Sequence, residues 1–182
     1  MTIEMRRIFK NAIATPTIVK ELIQIIFASE LLSPKEEKIW IVSPWISNVE
    51  IFDNRSGNFS DINPDWGRTV IRLQDVIIEV LKRNGNIALV SDAQEDKHND
   101  KFFSILQDKA QQNLVLDQLS IIKAKNLHTK GFLFQHGFLS GSMNLTYNGL
   151  EIKDEQIMYD RDPEGRAQAR VAFEEYERDL SQ

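Results

Sequence analysis

The residues able to do chemistry fall in three short groups: His128-Thr129-Lys130, Gly141-Ser142-Met143-Asn144 and Asp154-Glu155-Gln156. His128 and Lys130 are two apart, so on a strand both side chains point to one face. A Gly-Ser pair that follows a hairpin return brings a hydroxyl, backbone amides and the Asn144 amide back beside them. An imidazole, an ammonium and neutral donors then share one surface, in a stretch with no Asp or Glu from residue 118 to residue 150. Such a group suits a phosphate. The ammonium acts as a point charge, the neutral groups donate hydrogen bonds, and the imidazole attacks phosphorus or carries a proton.

At these residues the sequence resembles the phospholipase D superfamily, whose signature is His-x-Lys, four intervening residues, an Asp, then Gly-Ser-x-Asn. His128 and Lys130 match the first part, and Gly141, Ser142 and Asn144 the second. Glu155 matches the acid that follows in many members. Leu145-Thr146, Gly149-Leu150 and Ile41-Val42-Ser43-Pro44-Trp45 resemble the flanks and the first strand. Two departures stand out: Gln135 replaces the family Asp, and the return to Gly-Ser is one residue short.

The resemblance implies a metal-independent phosphodiester transfer in two steps with no cofactor. His128 is the implied nucleophile and, from a second copy, the general acid. Lys130 and Asn144 hold phosphate oxygens, Ser142 tunes the site by hydrogen bonding, and Glu155 accepts from the other ring nitrogen of His128. The chemistry needs two such motifs and the chain has one, so the expected active unit is a homodimer with two copies of His128 across a shared cleft.

Elements to position these residues are legible on either side of the motif. Thr15-Pro16 opens a helix to about residue 32, with Ile18, Leu22, Ile25 and Ile26 on one face. Residues 38–43 and 86–91 read as buried strands. The polar stretch 47–67 reads as either disorder or a functional loop. A helix is expected over 70–81, ended by Asn84-Gly85, and another over 100–112. Residues 114–123 read as one or two strands. Residues 130–134 and 138–140 read as a tight hairpin, 157–159 as a strand and 163–180 as a final helix. Helices alternating with strands imply an α/β sandwich with a mixed β-sheet flanked by helices, as one domain spanning 1–182.

Length and composition narrow the function. The 182 residues suffice for one full core. There is no cysteine, which excludes disulfides, thiolate nucleophiles and sulfur-ligated metals. No apolar run approaches the roughly 20 residues of a bilayer span, and the N-terminus lacks a secretory core, so a cytoplasmic protein without membrane contact is expected. The net charge of -5 argues against nucleic acid until it is divided along the chain. Residues 151–182 hold 10 acids and 5 bases, which leaves the first 150 residues neutral and the motif in a basic window.

That window favours a nuclease acting on DNA or RNA. Lys123 and Lys125 either track a phosphate backbone or line an ordinary exposed face. Trp45 and Trp66 either stack on bases or anchor loops. His136 reads as a turn residue, and His98 as part of a solvated loop without metal-ligand spacing. A non-catalytic subunit that binds phosphate or nucleic acid stays open, as does a phospholipase, for which no interfacial helix speaks. A narrower resemblance, in size and general look, is to phospholipase D-like proteins encoded beside bacterial defence and DNA-modification systems.

Overall fold

The computed structural model describes residues 5–11, 16–34, 36–94 and 96–179. Thr15 and Leu180, expected at two helix ends, lie outside them. The strands are β1 (Met5–Lys10), β2 (Ile39–Val42), β3 (Glu50–Asp53), β4 (Val70–Arg72), β5 (Ile87–Asp92), β6 (Leu119–Ala124), β7 (Gly131–Phe134), β8 (Gly137–Gly141) and β9 (Glu155–Asp160). The helices are α1 (Pro16–Leu32), α2 (Leu73–Lys82), α3 (Asp96–Gln112) and α4 (Pro163–Asp179).

Seven strands form a mixed sheet in the order β1-β9-β8-β7-β2-β5-β6, and β3 pairs with β4 separately. β2, β5 and β6 run parallel, while β7, β8, β9 and β1 are joined by antiparallel pairings. The expected α/β architecture, a mixed sheet flanked by helices, is therefore what the chain adopts.

β2 shows why its sequence is apolar throughout. Ile39 and Ile41 enter the core shared with α1, α2 and α3, whereas Trp40 and Val42 enter a second core with Ala169 and Phe173 of α4. A strand covered on both faces has no polar side to show. α2 ends in a Schellman turn: Asn84 takes the left-handed conformation, Gly85 N–H donates to the Val80 carbonyl, and Asn84 N–H to that of Leu81.

Three expectations are corrected. Residues 47–67 are ordered, against the disorder alternative, because Val49, Ile51 and Phe52 are buried and β3 starts within the stretch. Their apolar residues were few, but Phe52 collects Phe59 at 4.7 Å and Trp66 at 5.7 Å, which anchors the polar segment between them. Residues 70–72 are strand and only then helix. Residues 96–100 belong to α3, so His98 is on a helix; its side chain lies outside the described residues. β1 was not foreseen.

Phe173 fastens α4 to the sheet, with its ring 6.2 Å from Trp40, 5.8 Å from Phe138 and 6.4 Å from Tyr176. Phe173→Ala is expected to lower stability by about 3–5 kcal/mol, read as a lower urea midpoint with an unchanged slope. A loss within about 0.5 kcal/mol would contradict this packing.

Candidate functional site

All three motif segments converge at one end of the large sheet. β2, β5 and β6 finish there, β8 finishes there, and β7 and β9 begin there, because the antiparallel pairings reverse their direction. The carboxyl ends of parallel strands are where α/β sheets leave room for a ligand.

β6 leads into the motif through a turn in which Asn126 is left-handed and accepts from the Gln94 amide at 3.0 Å. Leu127 is buried in the α4-side core, and His128 beside it is exposed. Neither His128 nor Lys130 lies within a strand: β7 starts at Gly131, so both stand in the segment that enters the sheet. Lys130 lines a small recess with Phe132, Gly141, Met143 and Ile157. Its ammonium donates to the His128 carbonyl at 2.7 Å. Burial pulls its pKa below the ordinary lysine value, against the opposing charge of Glu155. Among the described residues the His128 ring has no hydrogen-bond partner.

Gly141 ends β8 with φ +146°, and a Cβ built on it would meet the Gln156 carbonyl oxygen at 2.0 Å. Only glycine permits that approach. The ladder then runs one residue further, as Ser142 N–H donates to the Gln156 carbonyl at 3.0 Å and Gln156 N–H donates to Ser142 Oγ at 3.0 Å. This places the Ser142 hydroxyl against Glu155, to whose carboxylate it donates. Glu155 is buried, and within one chain its described partner is Ser142 rather than His128, contrary to the expected pairing with the imidazole. The reason is the register, which sets Ser142 across from Gln156 and so beside Glu155.

Asn144 is fixed from β2. Ser43 Oγ stands 3.3 Å from Asn144 Oδ1, donates to the Trp45 carbonyl at 2.8 Å, and accepts from Leu145 N–H at 3.1 Å. With Oδ1 turned to Ser43, the Asn144 NH2 supplies the donors for an incoming oxygen. The Ser43-Pro44-Trp45 bend is itself gripped by buried Asn99, which donates to the Pro44 carbonyl at 2.8 Å and accepts from Ile46 N–H at 3.1 Å.

Beneath the site lies Lys10, only 2% exposed, whose ammonium donates to the Gly149 carbonyl at 3.1 Å and the Lys153 carbonyl at 2.6 Å. Burial lowers its pKa, while Glu155, Glu151 and Asp154 pull the other way. Lys10, Ser43 and Asn99 escaped the sequence reading. Ser43 sat in a recognised flank without an assigned task, Asn99 sat in a polar run, and Lys10 belongs to the unforeseen β1.

The remaining expected residues are placed as follows. Gln135 sits at the opposite end of β7, in the hairpin turn, where its N–H donates to buried Glu30 at 2.8 Å and its carbonyl accepts from Arg166. His136 stands in the same turn, its ring 3.3 Å from Ser33 Oγ. Lys123 pairs with Asp100 at 2.7 Å at the end of β6, and Lys125 is exposed in the turn beyond. Trp45 is partly exposed beside Asn144, whereas Trp66 packs on the core. No group of three or more metal-binding side chains occurs among the described residues.

Gly141→Ala is expected to cost more stability than Ser142→Ala. The glycine change forces the Gln156 carbonyl away at a cost above about 1 kcal/mol, while the serine change removes one hydroxyl. Thermal unfolding of the two variants checks this, and equal losses would contradict the close approach.

Residues 59–177, more than half of the chain, match the family model described as cardiolipin synthase, PLD-like domain. No curated protein matches the sequence. Among solved structures, NucT from Helicobacter pylori is 14% identical with a TM-score of 0.60, over 95% of this chain and 96% of that one. A phospholipase D family member, Nuc from Salmonella typhimurium, is 10% identical with a TM-score of 0.61, over 94% and 92%. TrmBL2, an archaeal chromatin protein with a novel mode of DNA binding, is 13% identical with a TM-score of 0.54, over 96% of this chain and 52% of that one. At these identities the likeness speaks for the fold, and the family match speaks for descent: the chain belongs to the phospholipase D superfamily, in its PLD-like domain family.

Proposed function

We propose that the chain is a metal-independent phosphodiesterase that cleaves DNA or RNA, working as a homodimer. The observation that supports this most is the meeting of an exposed imidazole, the Lys130 ammonium, the Asn144 amide and the Ser142–Glu155 pair at one end of the sheet.

In this reading a ring nitrogen of His128 attacks phosphorus, a P–N bond forms and the bond to the leaving oxygen breaks. That oxygen takes its proton from the second chain's imidazolium. Water then attacks, gives its proton to the same second imidazole, and the P–N bond breaks. Lys130 and Asn144 hold the phosphate oxygens as charge builds on them. Glu155 acts as a positioning residue, because it fixes the Ser142 hydroxyl and lies close enough to Lys130 to favour its charged form.

Gln135 bears on the fold of the hairpin rather than on the reacting atoms, so its substitution for Asp does not argue against turnover. The window from residue 118 to residue 150, which holds the motif and no Asp or Glu, supports nucleic acid over lipid. No helix among the described residues is long and apolar enough to cross a membrane. A second reading, a binding subunit without turnover, draws support from the DNA-binding chromatin neighbour. A cytoplasmic role in bacterial defence or DNA modification fits the first reading and rests on resemblance alone.

The chain is expected to cleave oligonucleotides in EDTA, and His128→Ala to reduce the rate by roughly 1,000-fold or more. A requirement for magnesium, or an unimpaired variant, would overturn the mechanism. Binding without cleavage would select the second reading. Light scattering at micromolar concentration should report twice the 21.0 kDa chain mass. A monomer there would sink the shared two-histidine site.

A further inference from the structure

Beside Asn144 the bend after β2 and the segment after β8 run together. Ile46 and Leu145 form a parallel bridge, and Ser47 N–H donates to the Leu145 carbonyl at 2.9 Å. Both bridge residues are buried, so their chain neighbours turn the other way. Trp45, Ser47, Asn144 and Thr146 accordingly line a cleft of about 380 Å³, completed by Tyr147 and Lys153. The volume lies within the roughly 300–1,000 Å³ of ligand sites.

The far wall is built rather than slack. Gly149 packs so closely on the Asn144 carbonyl that a Cβ would stand 2.3 Å from it. Gly149 N–H donates to Thr146 Oγ1 at 3.2 Å, and Leu150 N–H to the Thr146 carbonyl at 3.0 Å. The Lys10 ammonium holds the same turn from below through two carbonyls.

Two large aromatic side chains stay in solvent at this cleft, Trp45 at 38% and Tyr147 at 62% exposure. No carboxylate lines it, and Lys153 supplies a positive charge. Hydroxyls and amides alternate with the rings, which suits a flat heterocycle with polar edges better than an acyl chain. We propose that this cleft receives an unpaired nucleobase next to the phosphate held at Asn144, so that the substrate is single-stranded nucleic acid. The inference rests on the phosphodiesterase reading above and adds the strand preference to it. In a duplex the base faces are already stacked on one another; in a single strand they are open to Trp45 and Tyr147.

The test titrates His128→Ala, which holds substrate without turning it over, with fluorescent oligonucleotides at fixed salt. Three are compared: a single strand, its blunt duplex, and the single strand with abasic sites. The single strand is expected to bind tighter than either of the others by roughly 5- to 150-fold per stacked base. Adding Trp45→Ala or Tyr147→Ala should drive the ratio of single-strand to abasic affinity toward one, while Trp45→Phe and Tyr147→Phe should largely retain it. Circular dichroism confirms that each variant is folded. Equal affinity for all three oligonucleotides, or an unchanged ratio in the alanine variants, would overturn the base cleft while leaving the phosphodiesterase reading intact. A base-dependent affinity in a parent chain that never cleaves in EDTA would keep the cleft and discard the enzyme. Failure to bind any oligonucleotide would remove both.

Discussion

Where β8 leaves the sheet, the Gln156 carbonyl oxygen stands where any side chain on residue 141 would have to be. That contact locks the register of β8 on β9 at the point where the candidate site begins. From it follow the Ser142 hydroxyl on Glu155, the burial of that carboxylate beside Lys130, and the direction in which the chain turns toward Asn144. Ser43 then receives Leu145 and meets Asn144, so the end of β2 and the end of β8 are tied by one hydroxyl. The site is less a set of side chains than a set of backbone registers with side chains attached.

Much of this was legible in the residues. Helical spacing located α1, α2 and α4, since an apolar stripe every three or four residues survives whatever surrounds it. The apolar run of β2 read correctly as a buried strand. The motif located the candidate site because His128, Lys130, Ser142, Asn144 and Glu155 carry their types openly. Hidden were the features that exist only through tertiary contact. β3 is four residues, and its Phe52 finds Phe59 and Trp66 only after folding. β1 alternates too weakly to announce itself, and its pairing partner lies at the other end of the chain. Asn99 looks like one more polar residue until Pro44 and Ile46 stand on either side of it.

The charge distribution also takes a different meaning in three dimensions. The acids of the last 32 residues are not a remote tail. Glu155 enters the site, Glu151 pairs with Lys20, and Glu177 meets Lys38 at 2.6 Å. Arg178 is occupied by Glu174 and Glu175 on its own helix. Exposed pairs of this kind contribute little to stability. They nonetheless neutralise much of the acidity locally, so a net charge of -5 coexists with a motif window that holds no acid from residue 118 to residue 150. Conversely, Lys123, counted as free basic charge in the sequence, is engaged by Asp100.

The strand at the far edge of the sheet carries a temporal implication. Among the described residues β1 pairs with β9 alone, and Lys10 reaches across 139 and 143 positions to the carbonyls of Gly149 and Lys153. Contacts so distant along the chain carry a large loop-closure cost and tend to form late. During translation β1 must therefore wait for its place in the sheet until β9 has left the ribosome. The turn that Lys10 supports is completed when β1 meets β9, so the core can condense before the candidate site acquires its floor.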